Sequence, residues 1–256
     1  MFVRAVRCEP AQLWLATFIL SGIGSYMVYE ALHLYAGPAK GVSFLVPFFG
    51  YVAAFTIVAA SIGAILKDNL KARLAYSTIS QLSYITLGVA LATSMGVMGG
   101  GLHMVTHAMG KITLFMCAGS IYVVTHKTEI SQMTGLGRRM PVTFIAFLIG
   151  SLSIIGLPPF AGSWSKWLLI LASADTGELI IIGVLLISSL LNVAYLMPLV
   201  AKGFFMTDSG KKDPITFGEG PFLLWIPLVL TSFGCIVLFF CAGTIQDFLM
   251  PLIATP

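Results

Sequence analysis

Seven apolar runs, most of them about 20 residues long and parted by short breaks rich in glycine, proline or charge, dominate this sequence. They fall at 13–35, 43–66, 74–96, 102–125, 141–175, 178–205 and 221–243. A run of this length spans the hydrocarbon of a bilayer as one helix, whereas a soluble helix alternates apolar and polar faces. Of the 256 residues, 58% are hydrophobic and only 9% charged, against roughly 25% charged in a soluble domain. Such a chain lacks the polar surface to cover a water-soluble core. The sequence predicts an all-α integral membrane protein, one transmembrane domain over residues 1–256.

One run does not fit a single straight helix. The 141–175 run would extend about 52 Å at 1.5 Å per residue, against a hydrocarbon core of about 30 Å. It contains Gly156-Leu157-Pro158-Pro159-Phe160-Ala161-Gly162, and each proline lacks the amide hydrogen and clashes with the preceding turn. The run is therefore either two short crossings or one crossing made of two half-helices. Charge placement decides. With one crossing, Arg4, Arg7, Lys67, Lys71, Arg73, Lys127, Arg138, Arg139, Lys202, Lys211 and Lys212 share one side of the membrane and Lys40 keeps the other, a strong positive-inside bias. With two, Lys202, Lys211 and Lys212 change sides and the bias weakens. The expectation is about seven crossings, the fifth broken at mid-membrane, with the amino terminus cytoplasmic and the carboxyl terminus outside. Unwound backbone at that depth is tolerated only where protein or a wet cavity surrounds it.

The net charge of +4 is explained by these loop positions, so nucleic acid is excluded as a partner. Cys8, Cys117, Cys235 and Cys241 form no CxxC pair, and neither a disulfide nor a metal framework follows. Met1 to Arg7 followed by an apolar run has the polarity of a signal peptide but no small-residue cleavage site, so it is expected to stay as a helix. The segment from Met206 to Gly220 reads as a solvated connection.

Ionisable groups deep in an apolar helix mark a wet path or a partner. His103, His107 and Lys111 stand at i, i+4 and i+8 in GGGLHMVTHAMGKITLFMCAGS, drifting about 40° per step to form one stripe roughly 12 Å long. Protons cross such a span by hops through bridging water, and imidazole is suited to them at neutral pH. Lys111 lies mid-run, where snorkelling to a headgroup is awkward. A zinc-protease reading fails, because Met104 stands where that motif needs glutamate. The second group surrounds the break in GLPPFAGSWSKWLLI, where Lys166 falls in the first turn of the second half-helix; broken helices at the midplane are a common way to build transporter ion sites. The third is LKDNLKARLAYSTISQLSY. Its Lys67, Lys71 and Arg73 serve topology, while Ser77, Thr78, Ser80, Gln81 and Tyr84 either bind helices together or hold water. Glu30 and His33 are interfacial.

LKARLAYSTISQLSY, HMVTHAMGKITLF and GLPPFAGSWSKW, in this order and spacing, resemble the second half of the antiporter-like subunits shared by Mrp-type cation/proton antiporters, respiratory complex I and membrane-bound hydrogenases. The likeness covers about residues 43–243, and SWSKW and SSLLNVAYLMP are most similar to the Mrp D-type subunit. The resemblance implies two inverted five-helix repeats, each with a broken helix, and a hydrated line of lysines and histidines along the midplane. Carried over residue by residue, it makes Lys71, His103, His107, Lys111 and Lys166 the proton or cation pathway, with no prosthetic group. Two departures stand out: the first repeat is absent, and the first helix shows Ser21, Gly22 and Gly24 where the family usually places lysine or histidine. These leave a split subunit, a truncated copy or a fragment.

The expected function is translocation of protons or monovalent cations as a transporter subunit, of the Mrp antiport type, in the inner or plasma membrane of a prokaryote. Its partners are then the lipid bilayer, other membrane subunits, protons and Na+. The alternatives are a pumping subunit of a complex I or hydrogenase assembly, or a structural remnant that does not conduct. A membrane enzyme is disfavoured, since no nucleophile or cofactor motif accompanies the histidines.

Overall fold

The computed structural model describes residues 45–206 and 218–253, and every regular element among them is helical. In chain order these are α1 (Leu45–Leu66), α2 (Leu70–Ala90), α3 (Ser94–Thr125), the single turn α4 (Leu136–Arg139), α5 (Pro141–Ile155), α6 (Gly162–Asp175), α7 (Leu179–Phe205), α8 (Phe222–Phe240) and α9 (Ala242–Ile253). By length and hydropathy α1, α3 and α7 each suffice to cross a membrane, and α8 with α9, bent by 65° at their junction, form either a broken span or a re-entrant pair. The run at 13–35, with Arg4, Arg7, Glu30, His33 and Lys40, lies outside the described residues, as do Lys211 and Lys212.

Contacts between helix ends place the two ends of the 141–175 run on opposite faces of the bundle. On one face, Leu70 N donates to Thr128 O, Gly135 N to Lys202 O and Gly218 N to Arg139 O, while Arg138 Nε donates to Phe204 O. The start of α2, the end of α3, the start of α5, the end of α7 and the start of α8 therefore lie together. Lys67, Lys71, Arg73, Lys127, Arg138, Arg139 and Lys202 crowd this basic face. On the opposite face Tyr51 Oη of α1 donates to Glu178 Oε2 before α7 (2.7 Å).

The break forms as the prolines require. Helix α5 ends in Gly156 at φ +88°, a left-handed conformation suited to glycine. With 15 and 14 residues, α5 and α6 reach only about 21–23 Å each, too short to cross a membrane singly. Backbone groups at the break are satisfied locally and by a neighbour, since Ala161 N donates to Cys235 O on α8. Gly162 sits so close to α5 that a Cβ there would overlap the Ser153 carbonyl oxygen.

Two boundaries differ from the sequence expectation. Residues 97–101, expected as a connection, are helical and belong to α3. Thr93 Oγ1 caps the helix by accepting from Gly96 N (3.0 Å), and the glycines let α3 approach its neighbours: a Cβ on Gly96 would meet the Gly88 carbonyl oxygen at 2.6 Å and one on Gly99 would meet Leu169 of α6. The close packing gained across these glycines outweighs their poor helix propensity. The last apolar run, expected to stop at 243, continues through the bend as α9, which packs Leu249 against Gly101 of α3.

Two apolar clusters fill the bundle. One, around Leu74, Leu114, Phe144, Phe147 and Leu199, occupies the half nearer the basic face; the other, around Ile57, Leu87, Leu169 and Leu185, occupies the opposite half. Gly162→Ala is expected to lower the thermal stability of the detergent-solubilised protein by about 1–3 kcal/mol through backbone collision. Gly183→Ala in α7, which has open space, should raise it by about 0.5–1 kcal/mol. Equal shifts in thermal unfolding would refute the close contact.

Candidate functional site

Between the two apolar clusters lies a layer of buried polar side chains contributed by α2, α3, α6 and α7. Lys111 and Lys166 are only 4% and 6% exposed, His103 and His107 2% and 4%, so neither lysine snorkels to a surface. Lys111 Nζ donates to Ser77 Oγ (2.6 Å) and Leu74 O (3.2 Å). Ser77 Oγ and Tyr195 Oη lie 2.6 Å apart, Tyr195 Oη donates to Asn192 Oδ1 (2.5 Å), and Gln81 Nε2 donates to the same oxygen (3.3 Å). A continuous chain of contacts thus links the ammonium of α3 through α2 to the centre of α7.

Lys166 organises the second half of the layer. Its Nζ donates to Ile155 O (2.9 Å) and Ser189 Oγ (3.2 Å) and sits 5.2 Å from the Tyr84 ring centroid. The break prepares this contact. In an unbroken helix the Ile155 carbonyl would accept from the amide four residues on, which is Pro159 and has no hydrogen. The doubled proline leaves an oxygen in the membrane interior, and a lysine one turn into α6 takes it. The Tyr84 ring also stacks on His103 (5.1 Å), His103 Nδ1 pairs with Ser165 Oγ (2.9 Å), and the His103 and His107 rings lie 6.0 Å apart at 17°. The two histidines thereby join the Lys111 half to the Lys166 half.

Within the described residues, neither lysine has a carboxylate partner; their contacts are carbonyls, hydroxyls and a ring face. Gln81 Oε1, His107 Nε2 and Asn192 Nδ2 are buried with no hydrogen-bond partner among the described residues. Buried polar atoms in proteins are either paired or hydrated, so these three atoms mark where water belongs, along the line from Lys111 to Lys166. Among the described residues no third His, Cys, Asp or Glu completes a metal site around the histidines.

The structure thus brings His103, His107, Lys111 and Lys166 together and sets Lys71 apart. Lys71 is half-buried in the first turn of α2 at the basic face, with its Nζ 4.7 Å from the Tyr122 ring centroid. Of the polar residues of α2, Ser77, Gln81 and Tyr84 enter the row, whereas Ser80 bonds Ile57 O and Ser61 of α1 and Thr78 bonds its own helix. Ser165, Ser189, Asn192 and Tyr195 were not singled out from the sequence. The three on α7 carry a usable signal: polar residues at i, i+3 and i+6 in an otherwise apolar run.

The family described as "NADH:quinone oxidoreductase/Mrp antiporter, TM" matches residues 10–192. The chain is 32% identical over 230 residues to the NADH-quinone oxidoreductase subunit N of Desulforudis audaxviator (strain MP104C), covering 86% of this chain and 46% of that one. Its fold is similar to a chain in the structure of the Mrp complex from Dietzia sp. DQ12-45-1b, with a TM-score of 0.77, 21% identity, and coverage of 88% of this chain and 49% of that one. A chain of respiratory complex I from Thermus thermophilus with bound NADH gives a TM-score of 0.76, 24% identity, and coverage of 88% and 47%. At these identities the two structures speak to fold alone. This chain spans about half the length of each of these three proteins.

Tyr195→Phe removes the hydroxyl shared by Ser77 and Asn192 and should cost about 1–3 kcal/mol of stability. Combined with Ser77→Ala the loss should fall short of the sum, because both act on one network. Thermal unfolding of the two single variants and the double variant checks this; strict additivity would show that the contacts are independent.

Proposed function

This chain belongs to the NADH:quinone oxidoreductase/Mrp antiporter transmembrane family, and from that membership and the buried row we propose that it translocates protons as an antiporter-like subunit of a larger membrane assembly. The observation that carries the reading is a pair of buried lysines with no carboxylate partner among the described residues, joined by hydroxyls, two stacked imidazoles and unpartnered polar atoms. A permanent ion pair would hold its charges fixed. Lysines held by carbonyls and hydroxyls exchange protons with water that reaches them. Protons pass from Lys111 through Ser77, Tyr195 and the water-binding atoms of Asn192 and Gln81, or along His107 and His103, to Lys166. Each hydroxyl or imidazole accepts one proton as it releases another, and no covalent step is involved. The chain acts as a transporter subunit, not as an enzyme.

Lys71 stands at the basic face, where it meets the aqueous phase. We propose from the positive-inside tendency that this face is cytoplasmic; the loop charges of the sequence favour an amino terminus inside and a carboxyl terminus outside a prokaryotic membrane. The chain spans about half of the length of its subunit N relative, and its activity is proposed to be exercised within a larger membrane assembly. The sequence wording favours an Mrp-type antiporter exchanging protons for Na+. The 32% identity to a NADH-quinone oxidoreductase subunit N supports a second reading, a pumping subunit of a redox-driven complex.

Proton uptake by sealed vesicles containing the assembled complex tests both. Lys111→Ala and Lys166→Ala are each expected to lower the flux by at least about 100-fold, and Lys71→Ala by less. Flux driven by a Na+ gradient marks antiport, and flux requiring an electron donor marks the redox-driven complex. Undiminished flux in both lysine variants would overturn proton translocation.

A further inference from the structure

A second set of buried polar groups lies on the other side of α3, between α5 and α8, and touches none of the row described above except at the break. It begins at the basic face with Glu219, whose Oε1 accepts from Val142 N (2.7 Å) and Thr143 N (3.3 Å) and whose Oε2 accepts from Thr143 Oγ1 (2.9 Å). Thr143 in turn lies 3.5 Å from Ser120 Oγ of α3. Along α3, Ser120, Cys117 and Thr113 follow one another at helical spacing on one face, and all three are buried. Cys117 falls within electrostatic reach of both Glu219 and Cys235. Thr113 Oγ1 contacts Cys235 Sγ of α8 (3.9 Å), and the Ser153 side chain of α5 faces the same thiol.

Depths agree across the three helices. At 1.5 Å per residue from their ends at the basic face, Thr113, Ser153 and Cys235 all lie about 18–20 Å deep. At that level Cys235 O accepts from Ala161 N of the break, and two residues beyond Ser153 the Ile155 carbonyl holds Lys166. The line therefore ends at Lys166. Ser153 is 1% exposed and meets only the weakly polar Cys235 thiol, and Ser232, one turn before Cys235, is 5% exposed with no hydrogen-bond partner among the described residues. A purely structural seam between helices closes its hydroxyls on backbone carbonyls, as Thr113 does with Met109 O; the Ser232 hydroxyl remains open inside the bundle.

We infer that this seam is a hydrated access file that carries protons from the basic face at Glu219 to Lys166, separate from the lysine and histidine row. The inference rests on the proton-translocating reading and adds to it a point of entry. A proton from the aqueous phase binds a Glu219 carboxylate oxygen and passes by water and the hydroxyls of the file to the neutral amine of Lys166. Each relay group takes one proton and gives up another, so that Glu219 is again a carboxylate and Lys166 an ammonium. The file then resets as the waters and hydroxyls turn back.

The native thiols give a test that does not depend on transport. In sealed vesicles bearing the assembled complex, Ag+ is applied from one side. The protein is then unfolded and alkylated with N-ethylmaleimide, and thiol protection is read peptide by peptide by mass spectrometry. Ag+ from the basic face should protect Cys117 and Cys235. Ag+ from the opposite face should protect Cys241, which is exposed near the α8–α9 bend, and leave the other two free. Ser232→Leu should slow protection of Cys235 by at least about tenfold, and Glu219→Gln should lower proton flux by a similar factor while Ag+ still enters. Absence of protection from the basic face, protection only from the opposite face, or unchanged flux in Glu219→Gln would each overturn the file. Protected thiols with flux indifferent to Lys111→Ala and Lys166→Ala would instead sink the translocation reading and leave a hydrated seam. Unprotected thiols with lysine-dependent flux would sink only the file.

Discussion

The rest of this structure depends on how two buried lysines are accommodated inside a bundle that sets no counter-charge beside them among the described residues. Moving a charge into a low-dielectric interior costs several kcal/mol unless dipoles replace the lost water. Here the replacement is one backbone oxygen and one hydroxyl oxygen for each lysine. Lys166 uses the Ile155 carbonyl that Pro159 cannot occupy, and Lys111 uses the Leu74 carbonyl together with Ser77. The Tyr84 ring face adds a cation–π contact to Lys166. Dipoles of this kind stabilise a proton without trapping it as a carboxylate would. The broken helix is in this sense the origin of the site, because it releases an oxygen at a depth where a continuous helix has none to spare.

Position follows from the apolar walls. One cluster fills the half of the bundle nearer the basic face and the other the opposite half, so the polar layer lies between them, toward the middle of the bundle. Asn192 sits at the centre of α7 and Gln81 near the centre of α2. Water drawn to their unpartnered atoms is held away from either surface. If the row conducts as proposed, enclosure at both ends requires other polar lines to reach it, which is the part proposed for the hydroxyl seam behind α3.

The parts of this design legible in the sequence are those that a local rule determines. Consecutive prolines break a helix wherever they stand, and the HxxxHxxxK spacing places three ionisable groups on one face whatever surrounds them. The single crossing of the broken run is expected from loop charges, and contacts such as Gly135 with Lys202 agree with it by setting the start of α5 and the end of α7 on one face. Residues whose meaning depends on partners were not legible. Asn192 and Tyr195 become part of the row only because α7 packs beside α2, and Ser77 is distinguished from Thr78 only by which of them faces Lys111. The glycines at 99–101 look like a connection because intrinsic propensity disfavours helix there; the close approach of α2 and α6, which overrides that propensity, is a tertiary fact.

Helix α2 shows how these constraints bear on assembly. It has 21 residues, enough to cross a bilayer, yet Ser77, Thr78, Ser80, Gln81 and Ser83 lie in its interior and it is not among the helices apolar enough to span by composition. Placed alone in lipid, its hydroxyls and amide would be largely unsatisfied, at a cost that single interhelical hydrogen bonds of about 1–2 kcal/mol must each offset. Within the bundle they are offset piece by piece: Ser80 by α1, Ser77 by Lys111 and Tyr195, Gln81 by Asn192. The polar residues that prevent α2 from standing alone are the same ones that dock it against α1, α3 and α7. A helix stable in lipid by itself would have had no hydroxyl to hand to Lys111, so the marginal fit of α2 to the membrane and the formation of the row have one physical cause.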